Sequence, residues 1–231
     1  IMGGYAVEGR DIMPATTIHF VRHGEVFNPG HVLYERLPGF HLSDRGRRMA
    51  EATARYLASN PQTTMASAVY CSPLDRTRET AQAIVEALNE ARARRGQEPL
   101  EAVSDERIVE AGNEFRGRRI GHGDGALWRP ENLRLVRNLW IPSWGESYRH
   151  IASRMAAFAR ETIWRHPDEQ VVAVSHESPI WSFRHLLETG RPEHNMLLRH
   201  VALASVTSVT FDGDTGRVMS ITYADPAADV S

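Results

Sequence analysis

Two apolar, β-branched runs, "TTIHFV" at 16–21 and "VVAVS" at 171–175, each lead into a histidine: Arg22 and His23 close the first, His176 the second. Runs of this length and composition read as buried strands, and strands buried on both faces belong to a parallel sheet covered by helices. Each strand therefore carries an ionisable ring to the rim of a sheet, where a purely structural element has no need of one.

The segments between these strands alternate in kind. "LSDRGRRMAEATARYLASNP" (42–61) predicts a helix capped by Ser43, with Met49, Ala52, Thr53, Tyr56 and Leu57 on its apolar face, stopped by "NP". "SAVYCS" (67–72) is a short strand. "PLDRTRETAQAIVEALNEARARRG" (73–96) predicts a helix with Pro73 near its first turn and Ile84, Leu88 and Ala91 on one stripe. A third strand is expected near "EAVSDERIV" (101–109). Residues 111–144 lack clear periodicity and read as an insertion over the sheet near the site, with one helix at 131–140.

From Gly145 a helical pattern returns through Ile151, Met155, Phe158, Ala159 and Ile163; "EQVVAVSH" follows as a strand, and "SPIWSFRHLLETG" as a helix ending at Gly190. "ASVTSVTFDGDTGRVMSITYA" (204–224) alternates on both sides of a "DGDTG" turn, as a hairpin does. The fold class is α/β: a three-layer sandwich, a mostly parallel central sheet with helices on both faces and an antiparallel hairpin at one edge. Residues 16–225 read as a single domain. Residues 1–15, which open with Ile, read as an N-terminal arm or an expression remnant.

In open α/β sheets the ligand sits beyond the carboxyl ends of the strands. That rule gathers Arg22, His23, His176 and Arg76, just past the second strand, at one rim. Guanidinium forks match phosphate oxygens bidentately and stay charged at every working pH. Helices opening after Ser72 and after His176 add backbone N–H donors. Two arginines and two histidines in that setting suit a tetrahedral dianion.

These residues resemble the histidine phosphatase superfamily, the phosphoglycerate mutase-like proteins, over most of the chain. "VRHGEVFN" is similar to that family's signature, "LSDRGRRMAEATARYL" to the helix after it, and "VYCSPLDRTRETA" to the segment with the second arginine. "RIVEAGNEFRG" resembles the acid-bearing segment, "GES" the later turn, "VVAVSH" the strand delivering the second histidine, and "ASVTSVTFDG" the last strand. The resemblance implies a phosphohistidine on His23, with Arg22, Arg76 and His176 on the phosphoryl oxygens and Glu110 as general acid. Glu114, four residues on, is an alternative acid. Asn28 is a further phosphate ligand by motif, although Asn before Pro-Gly is also ordinary turn chemistry. Glu177 stands where the family most often has glycine. Its N–H can still bind phosphate, whereas its carboxylate repels substrate unless an arginine takes it up.

The remaining composition excludes other classes. A formal charge of −2 with scattered arginines offers no face for nucleic acid, and no apolar run approaches the roughly 18 residues of a membrane span. Cys71 is the only cysteine, so no internal disulfide is possible and a cytoplasmic location is expected. Only four residues separate it from Arg76, and Pro73 lies between, so a cysteine-phosphatase loop is excluded; Cys71 reads as a small buried strand-end residue. The eleven histidines show no zinc spacing, and "GHGDG" has no strand before it, so neither a metal nor a cofactor is expected. Trp128, Trp140 and Trp144 read as packing; Arg129, Arg134 and Arg137 are equally open to a solvated or a substrate-facing role. The leading expectation is a phosphomonoesterase acting on a small-molecule phosphate, with a phosphoglycerate mutase or a non-catalytic phospho-ligand-binding module as alternatives. The insertion lacks the paired arginines and proline run of the mutases, which favours hydrolysis; oligomeric state stays open.

Overall fold

The computed structural model describes residues 14–119, 130 and 145–231. Its strands are β1 (Ala15–Arg22), β2 (Ala68–Cys71), β3 (Ala102–Ser104), β4 (Gln170–Ser175), β5 (Val206–Asp212) and β6 (Val218–Ala224). They form one sheet in the order β3-β2-β4-β1-β5-β6. β3, β2, β4 and β1 run parallel, while β5 and β6 are antiparallel at one edge. The register of β1 against β4 sets Arg22 opposite Ser175, so His23 and His176 leave the sheet side by side.

The helices are α1 (Asp44–Ser59), α2 (Asp75–Ala93), α3 (Tyr148–Arg165) and α4 (Glu177–Thr189). Alternation along the strands divides the core between two layers. Ile18, Phe20 and Ala173 pack with Met155, Phe158, Ile180 and Phe183 of α3 and α4. Val21, Val172 and Val174 pack with Ala54, Leu57, Ile84 and Leu88 of α1 and α2. The sandwich expected from the sequence is the one observed.

The structure refines three sequence expectations. Ser43 caps α1 as expected, its side chain accepting from Gly46 N, but Ala50 and Ala54 turn inward while Tyr56 is 36% exposed. Small alanine side chains let the helix backbone approach its neighbours, and the tyrosine is left to reach solvent. Pro73 precedes α2, whose N-cap is Leu74. β3 is only three residues long and exposed throughout, and it gives way to a 3-10 turn, Glu106–Ile108, that buries Ile108 instead. The helix expected at 131–140, "GHGDG", Trp128, Trp140, Trp144, Arg129, Arg134 and Arg137 lie outside the described residues, as do residues 1–13 of the expected arm.

The loop after β1 is clipped to the first turn of α1. Glu25 accepts from Ser43 N through its carbonyl (2.9 Å) and from Ser43 Oγ through its carboxylate (2.7 Å), and it pairs with Arg45 (2.8 Å). The approach is so close that a Cβ on Gly46 would lie 1.9 Å from the Glu25 carbonyl oxygen, and one on Gly24 would lie 2.4 Å from the Gly46 oxygen. Gly46→Ala should therefore cost about 1–3 kcal/mol through overpacking, despite alanine's better helix propensity. Thermal unfolding should show a fall of several degrees; an unchanged midpoint would refute the tight clip.

Candidate active site

His23 sits at the end of β1, only 2% exposed. Its Nδ1 lies 2.8 Å from the Gly24 carbonyl oxygen, which can only accept, so the proton resides on Nδ1 and Nε2 carries the lone pair. Arg76, in the first turn of α2, is fully buried and points Nε at that lone pair from 3.3 Å. Its Nη2 donates to the Glu35 carbonyl (2.5 Å) and approaches His176 Nδ1 at 3.4 Å. His176, just past β4, gives Nε2–H to Ser72 Oγ (2.9 Å) and sets its ring 5.1 Å from that of His23. Burial, reinforced by the Arg76 and Arg22 charges, holds His23 well below the usual imidazole value. Burial and the same cationic surroundings do so for His176. Both rings are neutral at physiological pH.

Arg22 donates through Nη1 to the Val201 carbonyl (2.5 Å) and pairs with Glu177 at 2.8 Å. The carboxylate after His176, a departure from the family pattern, is thus taken up by an arginine. Arg22 Nε and Arg76 Nη1 are buried without a hydrogen-bond partner. An unsatisfied buried donor costs about 1–3 kcal/mol, more when charged, so these two atoms call for an acceptor. α4 opens at Glu177, and no side chain caps it.

A cavity of about 250 Å³ opens above His23, walled in part by Arg22, Tyr34, Glu110 and Glu177. Arg76 and His176 contact His23 without lining this cavity themselves, and the Tyr34 ring covers the Arg76 guanidinium at 4.8 Å. Glu110 lines the cavity with its Oε2 3.8 Å from His176 Nδ1. Burial raises its carboxyl above the ordinary value, outweighing the Ala111 N–H, Arg76, Arg22 and Arg199. Glu114 is exposed and lines a neighbouring surface cavity instead. Asn28 is not brought to the site: its side chain closes its own turn, donating to the Val32 carbonyl (2.8 Å) and accepting from Val32 N (3.2 Å). Cys71 is buried and free at the end of β2. Among the described residues no cluster of three or more His, Cys, Asp or Glu is placed to hold a metal ion.

The Glu110 segment is held from several sides. Ser175 Oγ donates to the Ile108 carbonyl (2.7 Å), Arg154 to the Arg107 carbonyl (2.5 Å), and Arg36 Nε to the Glu110 carbonyl (2.7 Å). Glu146, from the "GES" turn, ties these arginines together: it pairs with Arg154 and Arg36, each at 2.8 Å, and accepts from Gly112 N at 3.2 Å. A Cβ on Gly145 would come within 2.2 Å of the Gly112 carbonyl oxygen, so this junction requires glycine. On another wall, Arg199 donates from Nε to His194 Nε2 (2.9 Å) and from Nη2 toward the Tyr148 hydroxyl (3.4 Å). Sequence reasoning did not find Arg36, Arg154, Arg199 or Glu35. The contacts that bring them to the site span long stretches of chain, Arg36 to Glu110 across 74 residues, Arg154 to Arg107 across 47, Arg199 to Tyr148 across 51 and Glu35 to Arg76 across 41, and no local spacing marks them.

A model of the histidine phosphatase superfamily (branch 1) matches residues 18–223. The chain is 42% identical to uncharacterized protein Rv0525 of Mycobacterium tuberculosis, over 92% of this chain and 98% of that one. It is 32% identical to phosphoserine phosphatase 1 of Hydrogenobacter thermophilus, over 69% and 70% of the two chains. The fold superposes on that of mycobacterial glucosyl-3-phosphoglycerate phosphatase Rv2419c with a TM-score of 0.68, at 22% identity over 91% of this chain and 98% of that one. The chain belongs to the histidine phosphatase superfamily.

The Glu146 clamp has a defined pH signature. Burial pushes its carboxyl up, but Arg154, the Gly112 N–H and Arg36 outweigh burial and hold it below the usual carboxylate range. A depressed folded-state value contributes stability that is present above the unfolded value and is lost as pH falls through the folded one. Glu146→Gln should lower stability at pH 7 by about 1.5–3 kcal/mol, the worth of hydrogen bonds to a charged group. In denaturant titrations the gap from the native protein should close as the pH is taken below about 4. A gap constant with pH would show that the charge does not hold the segment.

Proposed function

We propose, from membership in that superfamily and from the donors around one neutral imidazole, that the protein is a phosphomonoesterase hydrolysing a small-molecule phosphate ester through a phosphohistidine on His23. The observation that carries this reading is the pair of buried, unpartnered guanidinium atoms, Arg22 Nε and Arg76 Nη1, beside a histidine whose Nε2 is unprotonated. Phosphoryl oxygens supply the acceptors these donors lack. Arg22, Arg76 and the Glu177 N–H bind those oxygens and stabilise charge as it spreads over them in the transition state, while His176, its Nδ1 accepting from Arg76, holds that arginine in place.

In the first step His23 Nε2 attacks phosphorus, the ester P–O bond breaks, and Glu110 gives its proton to the departing alkoxide. In the second, water gives a proton to the Glu110 carboxylate and attacks phosphorus, and the P–N bond breaks. Inorganic phosphate leaves and His23 returns to its neutral form. The groups that take part are side chains of this protein, the Glu177 N–H and water. The lone free cysteine is in keeping with a reducing, cytoplasmic setting, and among the described residues no helix is long and apolar enough to cross a membrane.

His23→Ala should abolish release of phosphate from a panel of metabolite phosphomonoesters. Rapid quench of the native protein with labelled substrate should trap an acid-labile, base-stable adduct on His23. Label on Cys71 or a serine, or rapid interconversion of 3- and 2-phosphoglycerate with no net phosphate release from any ester, would overturn the assignment.

Glu110→Gln should slow hydrolysis of alkyl phosphates by about 10²–10⁴, the usual worth of general acid catalysis, and that of para-nitrophenyl phosphate far less. The raised carboxyl value means the acid form persists above the ordinary carboxylate range, so the native rate on alkyl esters should fall as pH rises through it. The variant should lose that limb of the profile. Equal losses on both leaving groups would move the acid to another residue.

A further inference from the structure

The carboxylates on the cavity wall are largely matched by arginines. Glu177 pairs with Arg22, Glu146 with Arg36 and Arg154, and Glu35 lies 3.6 Å from Arg36 and 3.5 Å from Arg116. Arg199 also lines the cavity, yet no carboxylate among the described residues lies within ion-pair distance of it. Its hydrogen-bond partners are uncharged. His194 Nδ1 donates to the Pro192 carbonyl (2.9 Å), which leaves Nε2 as the acceptor for Arg199. Burial takes His194 down to about 4, so the ring stays neutral. Its ring stacks on Tyr148 at 4.1 Å, and the Arg199 guanidinium lies 5.7 Å from the same Tyr148 ring. The arginine is thus held by a packed, neutral support, and no carboxylate among the described residues pairs with its charge.

The position of that charge matters. Arg76 contacts both His23 and His176, and Arg22 pairs with Glu177 beside His176, whereas Arg199 lines the same cavity as Glu110 with no contact to His23 or His176. Among the described residues it is the cavity-lining arginine left for the part of the ester beyond the phosphoryl group. A guanidinium already held in place loses little side-chain freedom on binding an anion. A single guanidinium balances the charge of one carboxylate but only part of that of a second phosphate dianion.

We infer that Arg199 is a specificity-determining residue that binds a carboxylate on the leaving group, so that the substrates are phosphate esters of small hydroxy acids. This inference rests on the phosphomonoesterase reading and adds the substrate class to it.

The test compares two probes of nearly equal size, 3-phosphoglycerate and glycerol 3-phosphate, which differ in a carboxylate against a hydroxymethyl group. The native protein should favour the acid in kcat/KM by about 10- to 100-fold, the range of a charge-assisted hydrogen bond. Arg199→Gln should bring the ratio close to one, and Arg199→Lys should restore part of it. Circular dichroism should show both variants folded. A native ratio near one, or a ratio that survives Arg199→Gln, would overturn the inference while leaving the phosphatase intact. Should no ester be hydrolysed, the phosphatase reading fails, and calorimetry on the native protein decides the subsite: tighter binding of 3-phosphoglycerate, lost in Arg199→Gln, upholds it, and equal affinities sink it.

Discussion

The buried guanidinium of Arg76 organises the centre of this protein. A charge taken fully out of water is tolerated only where the protein supplies its solvation. Here that solvation comes from the His23 lone pair, the Glu35 carbonyl, His176 Nδ1 and the face of Tyr34. Each partner is constrained in return. The histidines accept from Arg76 only while neutral, and the positive charge beside them keeps them so. Glu35 offers its carbonyl from a left-handed backbone conformation (φ 40°), a costly one for a residue other than glycine.

The same arginine explains why the surrounding elements meet as they do. It comes from the first turn of α2, while its partners come from the end of β1, the loop before α1 and the end of β4. The glycine contact between Gly24 and Gly46 fixes the β1 loop against α1, and the β1–β4 register fixes the two histidines against each other. The segment that carries Glu110 is held by the Glu146 clamp and by Ser175, the residue before His176 and opposite Arg22, so Glu110 and the two histidines are tied to the same strand ends. The pairing of Glu177 with Arg22 illustrates the economy of the arrangement: a carboxylate that would repel substrate is absorbed by an arginine that still keeps its Nε free.

Much of this was legible in the chain. Strand alternation, the Ser43 cap and the stripe of Ile84, Leu88 and Ala91 are short-range signals, because the periods of strand and helix are set by neighbouring residues. From them follow the α/β sandwich and the gathering of Arg22, His23, Arg76 and His176 at one rim, since residues at strand ends and helix starts are placed by the elements themselves. That lone cysteine and the absence of zinc spacing were equally plain.

What only the tertiary structure decided are the matters that depend on contacts between distant segments. Which of Glu110 and Glu114 faces the cavity turns on a loop pinned by Arg36, Arg154 and Ser175, whose partners lie between 47 and 74 residues away. Asn28 matched a motif, yet its carboxamide is consumed four residues away in its own turn. The Arg36–Glu146 pair spans 110 residues, and Arg199 meets Tyr148 across 51. Such pairs leave no periodic trace, because side-chain charge is read through space rather than along the chain. The sequence by itself determined the sheet, its helices and the rim that gathers Arg22, His23, Arg76 and His176; the folded chain decided which carboxyl is held beside that rim and which cation on the cavity wall is paired with no described carboxylate.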